Sequence, residues 1–125
     1  MDSPAVVTSG DCGQSPKTAL AQDIALALMG AGRIDPATFA ADAQWQRPDG
    51  LLAGRAQIAK ALASLPPPAA ITVTQVVSHG RSASVSGQIS MAPGDARLFG
   101  IVLRFSSNAC RDLAQIVSFD HRLPR

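Results

Sequence analysis

Residues 82–91 read Ser-Ala-Ser-Val-Ser-Gly-Gln-Ile-Ser-Met, and their polar and apolar or small side chains alternate from end to end. Successive side chains of a β-strand point to opposite faces of a sheet, so this alternation predicts a strand with one buried face. The serines would lie on the other face. The buried face would carry Ala83, Val85, Gly87, Ile89 and Met91.

Three more strand-like segments surround this stretch. Residues 71–79 are rich in Val and Thr, and a His-Gly-Arg turn joins them to residue 82. On the other side, a Pro-Gly-Asp turn leads to residues 98–105, which are almost entirely apolar, and residues 113–120 form the last segment. The second half of the chain therefore predicts a meander of four consecutive strands.

Helix signals occupy the first half of the chain. The Ser-Pro pair at residues 15–16 supplies a cap and a first-turn proline, and apolar side chains follow at helical spacing. An Asp-Pro pair repeats the signal and predicts a short second helix over residues 35–40, before a short strand at residues 44–46. A third helix is predicted over residues 54–65, where prolines end it. This order indicates an α+β fold with three N-terminal helices and a curved, mostly antiparallel sheet.

Composition and charge indicate one ordered domain. The chain has 125 residues, of which 46% are hydrophobic and 16% charged, and this suits a single core. We expect residues 15–125 to form that domain and residues 1–14, which lack periodicity, to form a flexible tail. The net charge of +2 comes from 11 scattered basic residues, so no binding of nucleic acid is predicted.

Export, membrane insertion and metal binding are not predicted either. The first residues, Met-Asp-Ser-Pro, lack the basic and apolar regions of a signal peptide, and no apolar run reaches the roughly 18 residues of a membrane helix. Cys12 and Cys110 each lack a second cysteine or a histidine at ligand spacing. We therefore expect a cytoplasmic protein with two free thiols and no metal or cofactor.

Six short stretches carry a family resemblance. They are residues 12–17 (Cys-Gly-Gln-Ser-Pro-Lys), Trp45 with the Asp49-Gly50 turn, Ser78-His79-Gly80, Val85-Ser86-Gly87, residues 99–102 (Phe-Gly-Ile-Val) and residues 116–120 (Ile-Val-Ser-Phe-Asp). In this order, over residues 12–121, the chain resembles the NTF2-like superfamily, and within it small bacterial SnoaL-like proteins that mostly carry no assigned activity. The resemblance implies a bent sheet wrapped around a long helix, a cone with a pocket inside, and a homodimer.

The resemblance leaves three functions open. The first is the binding of a small, largely apolar molecule in a mostly aliphatic pocket, since aromatic residues make up only 4% of the chain. The second is an isomerase, lyase or hydrolase that uses Asp/His acid–base chemistry, as several resembling enzymes do. Some of those enzymes also depend on a tyrosine, and this chain has none. The third is a dimerisation or scaffold module without a ligand.

The candidate acid–base residues are His79 and Asp120. His79 stands at a strand end beside a glycine turn, where it could act as a base or simply bond to the backbone. Asp120 lies two residues after Ser118 on the last strand, so the two side chains share a face. Asp42, Asp49 and His121 are more simply explained as surface or turn residues.

The candidate ligand-binding residues are Trp45, His79, Arg104 and Ser118. Trp45 is the only tryptophan, and it could be a core residue, a pocket wall or both. Arg104 interrupts an apolar strand. It would hold an anionic ligand if it points inward, and it would meet solvent or a dimer partner if it points outward.

Overall fold

A computed structural model describes residues 5–7, 16–106 and 112–122. Within these residues two α-helices and one short 3₁₀ helix accompany seven strands. In chain order they are β1 (Ala5–Val7), α1 (Pro16–Leu28), the 3₁₀ helix (Pro36–Thr38), β2 (Phe39–Arg47), β3 (Gly50–Ala53), α2 (Arg55–Ala63), β4 (Ala70–His79), β5 (Ser82–Ser90), β6 (Ala96–Phe105) and β7 (Leu113–Arg122).

The strands form one sheet in the order β1-β4-β5-β6-β7-β2-β3. The predicted meander is confirmed, because β4, β5, β6 and β7 pair consecutively and antiparallel. The first half of the chain completes the sheet at both ends: β1 pairs parallel with β4, β2 pairs parallel with β7, and β3 folds back on β2. The α+β class and the mostly antiparallel sheet are therefore as predicted.

Irregularities in register curve this sheet. The pairing of β4 with β5 shifts between Val73 and Gln75, and the pairing of β2 with β7 shifts between Phe39 and Gln44. An extra residue in one strand bends it and increases its local twist. The bend lets the sheet cover α1, which packs against β4 and β5 on the inner face.

The inner face of the sheet carries the core. Ala83, Val85, Gly87 and Ile89 are buried, as the alternation in β5 predicts. Met91 lies one residue beyond the strand and is 36% exposed, so its predicted burial is wrong. The largest fully buried side chains come from both helices and the sheet: Phe39, Ile24, Leu28, Ile58, Ile71, Ile101, Leu103, Leu113, Ile116 and Val85.

The prediction of three helices is wrong, since the described chain has two α-helices. The predicted second helix is one 3₁₀ turn, Pro36–Thr38, which Asp35 caps by accepting a hydrogen bond from the Ala37 amide at 2.9 Å. A helix this short gains little from its own hydrogen bonds. Phe39 is instead fully buried at the start of β2 and pairs with Leu113, so burial and sheet pairing outweigh the local helix signal.

β1 lies inside the segment predicted to be a tail, and Val6 pairs with Ile71; the rest of that segment is outside the described residues, so the proposed division at residue 15 stays a prediction. Neither α-helix of the described chain has the length and apolar character needed to cross a membrane. The cytoplasmic location also stays a prediction.

Candidate functional site

A cavity of about 280 Å³ opens at one end of the inner face, and we call it the inner cavity. It lies between the end of α1, the segment that follows α2, and strands β2, β5, β6 and β7. Its apolar wall is formed by Leu28, Met29, Leu65, Pro66, Ile89 and Met91. Its polar wall is formed by Trp45, Arg47, Arg97, Ser118 and Asp120.

Strand alternation explains the polar wall on β7. Ile116, Ser118 and Asp120 are two residues apart and so share the inner face of the strand. Ile116 is buried in the core, Ser118 is half-buried, and the Asp120 side chain is 31% exposed. The strand therefore leads from an apolar core to a hydroxyl and then to a carboxylate at the mouth of the inner cavity.

Trp45 and Ser118 meet across the parallel β2–β7 pair. The Trp45 indole Nε1 donates a hydrogen bond to Ser118 Oγ at 2.8 Å, and Trp45 is only 2% exposed. A buried indole N–H needs such an acceptor. Trp45 is thus both a core residue and a cavity wall, with its ring orientation set by Ser118.

A cation covers the same indole. The Arg47 guanidinium carbon lies 5.1 Å from the centroid of the Trp45 ring, which is the geometry of a cation–π contact. Arg47 also forms an ion pair with Asp49, Nε to Oδ1 at 3.5 Å, and the Asp49 side chain is 75% exposed. Arg47 lies two residues after Trp45 on β2, so both side chains are on the inner face of the sheet and next to each other.

A second cation at the mouth is neutralised by two acids. Arg97 Nη1 donates to Asp120 Oδ2 at 3.0 Å, and Arg97 Nε donates to Asp95 Oδ1 at 3.3 Å. The hydrogen bond to Asp120, followed by the interactions with Asp95, raises the pKa of Arg97, so this guanidinium stays charged. Asp120 therefore lines the inner cavity as the hydrogen-bonded partner of Arg97.

His79 and Arg104 lie elsewhere. His79 is exposed at the end of β4, beside the turn to β5. Arg104 alternates with buried Leu103 and Phe105, so it points to the outer face of the sheet. There it borders a shallow polar groove with Asp42, Gln44, Arg81 and Gln115, among others. The structure thus brings together three of the five candidate residues, Trp45, Ser118 and Asp120.

The other residues considered from the sequence lie outside the inner cavity. Asp42 borders the outer groove, Asp49 pairs with Arg47 at the β2–β3 turn, and His121 is exposed on β7. In the described part of the chain no group of three His, Cys, Asp or Glu side chains could hold a metal ion. Cys12 and Cys110 fall outside the described residues.

Comparison with known proteins rests on structure alone. No protein-family model matches the sequence, and no curated protein matches it. A provisionally named ketosteroid isomerase from Kribbella flavida superposes with a TM-score of 0.66 at 20% identity, over 86% of this chain and 79% of that one. An NTF2-like protein of unknown function from Burkholderia xenovorans gives 0.65 at 16% identity, over 87% and 84% of the two chains. The chain has the NTF2-like fold.

A third NTF2-like structure agrees. A protein of unknown function from Cytophaga hutchinsonii has a TM-score of 0.58 at 10% identity, and the match covers 92% of this chain and 96% of that one. The fold implied by the sequence resemblance is therefore confirmed, and the narrower SnoaL-like branch stays a prediction.

Two cationic residues of the inner cavity were not predicted from the sequence. Arg47 follows Trp45 by two positions, which places both on one face of a strand, and this signal was available. Arg97 lies two residues before Phe99 and four before Ile101, so the three side chains share one face of a strand. It was missed because the predicted strand begins at residue 98, two residues after the observed start of β6 at Ala96.

Proposed function

We propose that this NTF2-like protein binds a small, largely apolar molecule in the inner cavity. The observation that carries the proposal is the division of the cavity into an apolar wall of six side chains and a polar wall anchored by the Trp45–Ser118 hydrogen bond. Ligand sites are commonly apolar with a few placed polar groups. The volume of about 280 Å³ lies near the lower end of the range for such sites, so the ligand is small.

An isomerase, lyase or hydrolase is the less supported alternative. Of the two acid–base candidates, only Asp120 lines the inner cavity, and it is bonded to Arg97. General acid–base catalysis needs a group that can give or take a proton at a substrate atom. The Asp120 carboxylate is occupied at Oδ2 by the charged Arg97 guanidinium, and no second acid–base candidate lies beside it in the inner cavity among the described residues. Ligand binding needs only the shape and the two walls of the inner cavity, whereas catalysis would also need a group free to transfer a proton.

The single tryptophan supplies a direct test of binding. Trp45 is the only tryptophan, the chain has no tyrosine, and its ring borders the inner cavity. Titration with n-octanol should therefore change the Trp45 fluorescence along a saturable curve. Because a hydrated carboxylate on the apolar wall opposes the entry of an alkyl chain, Met91→Asp should weaken n-octanol binding by about tenfold or more.

The matched control places the same charge on the opposite face of the sheet. Phe119 is 55% exposed and outside the inner cavity, so Phe119→Asp should leave n-octanol binding unchanged. Circular dichroism would first establish that both variants fold. A linear, non-saturable response of the wild type, or equal loss in both variants, would contradict the proposal.

The outer face of the sheet supports the predicted homodimer, and we propose it as the interface. Five apolar side chains on β4, β6 and β7 are between 43% and 55% exposed: Val77, Leu98, Val102, Val117 and Phe119. The register places Val77, Ser84, Val102 and Val117 in one row across the sheet. Phe119 lies in the next row on this face and Leu98 in the row after it. Serines and glutamines surround this apolar centre, as at many protein interfaces.

A second copy of the chain suits this face in charge and in area. The apolar centre itself carries no charged residue, and Asp42, Arg81 and Arg104 lie in the groove at one end of the face, so the centre offers little to a highly charged partner. The outer face formed by β4, β5, β6, β7 and β2, taken as about eight residues per strand, covers roughly 600 Å² at ordinary strand spacing. Two such faces would bury about 1,200 Å² in total, which reaches the lower limit for a stable interface.

The same two variants test the dimer in the opposite sense. Phe119→Asp places two charges at the centre of the proposed interface, so it should give a monomer in sedimentation velocity at concentrations where the wild type is a dimer. Met91→Asp lies on the other side of the sheet and should leave the dimer intact. A monomeric wild type, or a dimeric Phe119→Asp variant, would rule out this interface.

A further inference from the structure

Hydrogen-bond donors exceed acceptors on the polar wall of the inner cavity. Ser118 Oγ accepts from Trp45, but its own hydroxyl hydrogen meets no acceptor among the described residues. The Nη groups of Arg47 likewise meet none there, because its ion pair with Asp49 runs through Nε. The one carboxylate on this wall, Asp120, already accepts from Arg97. A ligand that satisfies this wall must therefore bring acceptor oxygens.

The two arginines of the wall differ in how their charge is used. Arg97 is paired with Asp120 and with Asp95, which it shares with Arg122, so carboxylates offset much of its charge. Arg47 has a single acidic partner among the described residues, and that partner is largely exposed, where water weakens the pair. Arg47 is thus the guanidinium of the wall whose charge is less offset by carboxylates and whose Nη donors are available to a ligand.

The Trp45 ring holds Arg47 ready for such a contact. The guanidinium lies over the indole, and Ser118 fixes the indole in turn. An arginine stacked on an aromatic ring keeps its planar fork free at the edge, and this fork matches the two oxygens of a carboxylate. Asp49 and Asp120 stand nearby, so a single negative charge is better accommodated than the double charge of a phosphate.

We propose that the ligand of the inner cavity is an apolar molecule that ends in a carboxylate. The Nη groups of Arg47 bind the carboxylate, the Ser118 hydroxyl donates to it, and the apolar body lies against Leu28, Met29, Ile89 and Met91. This inference rests on the proposed binding function and adds to it the chemical class of the ligand.

Octanoate and n-octanol form the test pair, because they share one alkyl chain and differ in the head group. Isothermal titration calorimetry at neutral pH should show that the wild type binds octanoate about tenfold more tightly than n-octanol, as expected for charge-assisted hydrogen bonds. Arg47→Gln should reduce the ratio of the octanoate affinity to the n-octanol affinity from about ten to about one. Arg47→Lys, which keeps the charge but not the fork, should give a ratio between these two.

Arg104→Gln is the matched control, since it removes the same charge from the outer face of the sheet. It should leave the preference for octanoate unchanged. Loss of the preference in Arg104→Gln, or an unchanged preference in Arg47→Gln, would overturn the assignment to Arg47. Equal binding of the two ligands by the wild type would overturn the carboxylate inference while the proposed binding function stands. Binding of neither ligand would overturn both.

Discussion

Gly87→Ala should lower the free energy of unfolding by about 3 kcal/mol, because an added methyl group has no space in this part of the sheet. A Cβ at Gly87 would overlap the carbonyl oxygen of Thr72 on the neighbouring strand and stand 2.9 Å from the Phe99 ring. The Thr72 oxygen belongs to the backbone beside the β4 bulge, so it can move only if the strand pairing moves. Urea unfolding followed by far-ultraviolet circular dichroism measures the change.

Gly100→Ala is the control for this substitution. Gly100 is also a buried sheet glycine, and a Cβ there would meet the Phe119 ring at 2.5 Å. Phe119 is 55% exposed and can turn away, whereas the Thr72 backbone cannot. We therefore expect a loss of about 1 kcal/mol or less for Gly100→Ala. Equal losses for the two variants would show that backbone contact at Gly87 is not the cause.

Trp45→Ala should lower the free energy of unfolding by about 3–5 kcal/mol, the range found for buried tryptophan and phenylalanine. The indole is 2% exposed, belongs to the main core and forms one wall of the inner cavity. The substitution removes the free energy gained from burying the indole and also enlarges the cavity, and both effects destabilise the fold. Unfolding has to be followed by circular dichroism, since the variant has no tryptophan.

Two milder variants separate the hydrogen bond from the burial. Trp45→Phe keeps an aromatic ring and removes the bond to Ser118, so it should cost about 1–2 kcal/mol. Ser118→Ala leaves the indole N–H without its acceptor and should cost a similar amount. In the double variant the two losses should not add, because they share one bond. Full additivity would mean that the 2.8 Å bond contributes nothing to stability.

The strands of the second half could be predicted because their signal is local. Serines and apolar residues alternate along β5, and the structure buries the predicted face up to Ile89. Turn residues separate each strand from the next, so consecutive strands pair as a meander. The outward direction of Arg104 could not be predicted, because Leu98 and Val102 make the outer face of β6 as apolar as the inner face.

The first half was predicted less well, since its local signals compete with burial. The Asp-Pro pair at residues 35–36 does start a helix, but it ends after one 3₁₀ turn at Thr38. The next residue, Phe39, is fully buried as the first residue of β2. β3 was not predicted at all. Its sequence, Gly-Leu-Leu-Ala, favours no strand by itself, and it becomes one only by pairing with β2.

The sequence by itself determined the faces of β5, the order of the meander and the sharing of one face by Ser118 and Asp120. The tertiary structure alone decided that Trp45 and Ser118, 73 residues apart, meet at 2.8 Å and that Arg47 lies over the indole. Alternation depends on the geometry of one strand and is visible in a short window of residues. The parallel pairing of β2 with β7 depends on how the whole sheet closes, and no local pattern encodes it.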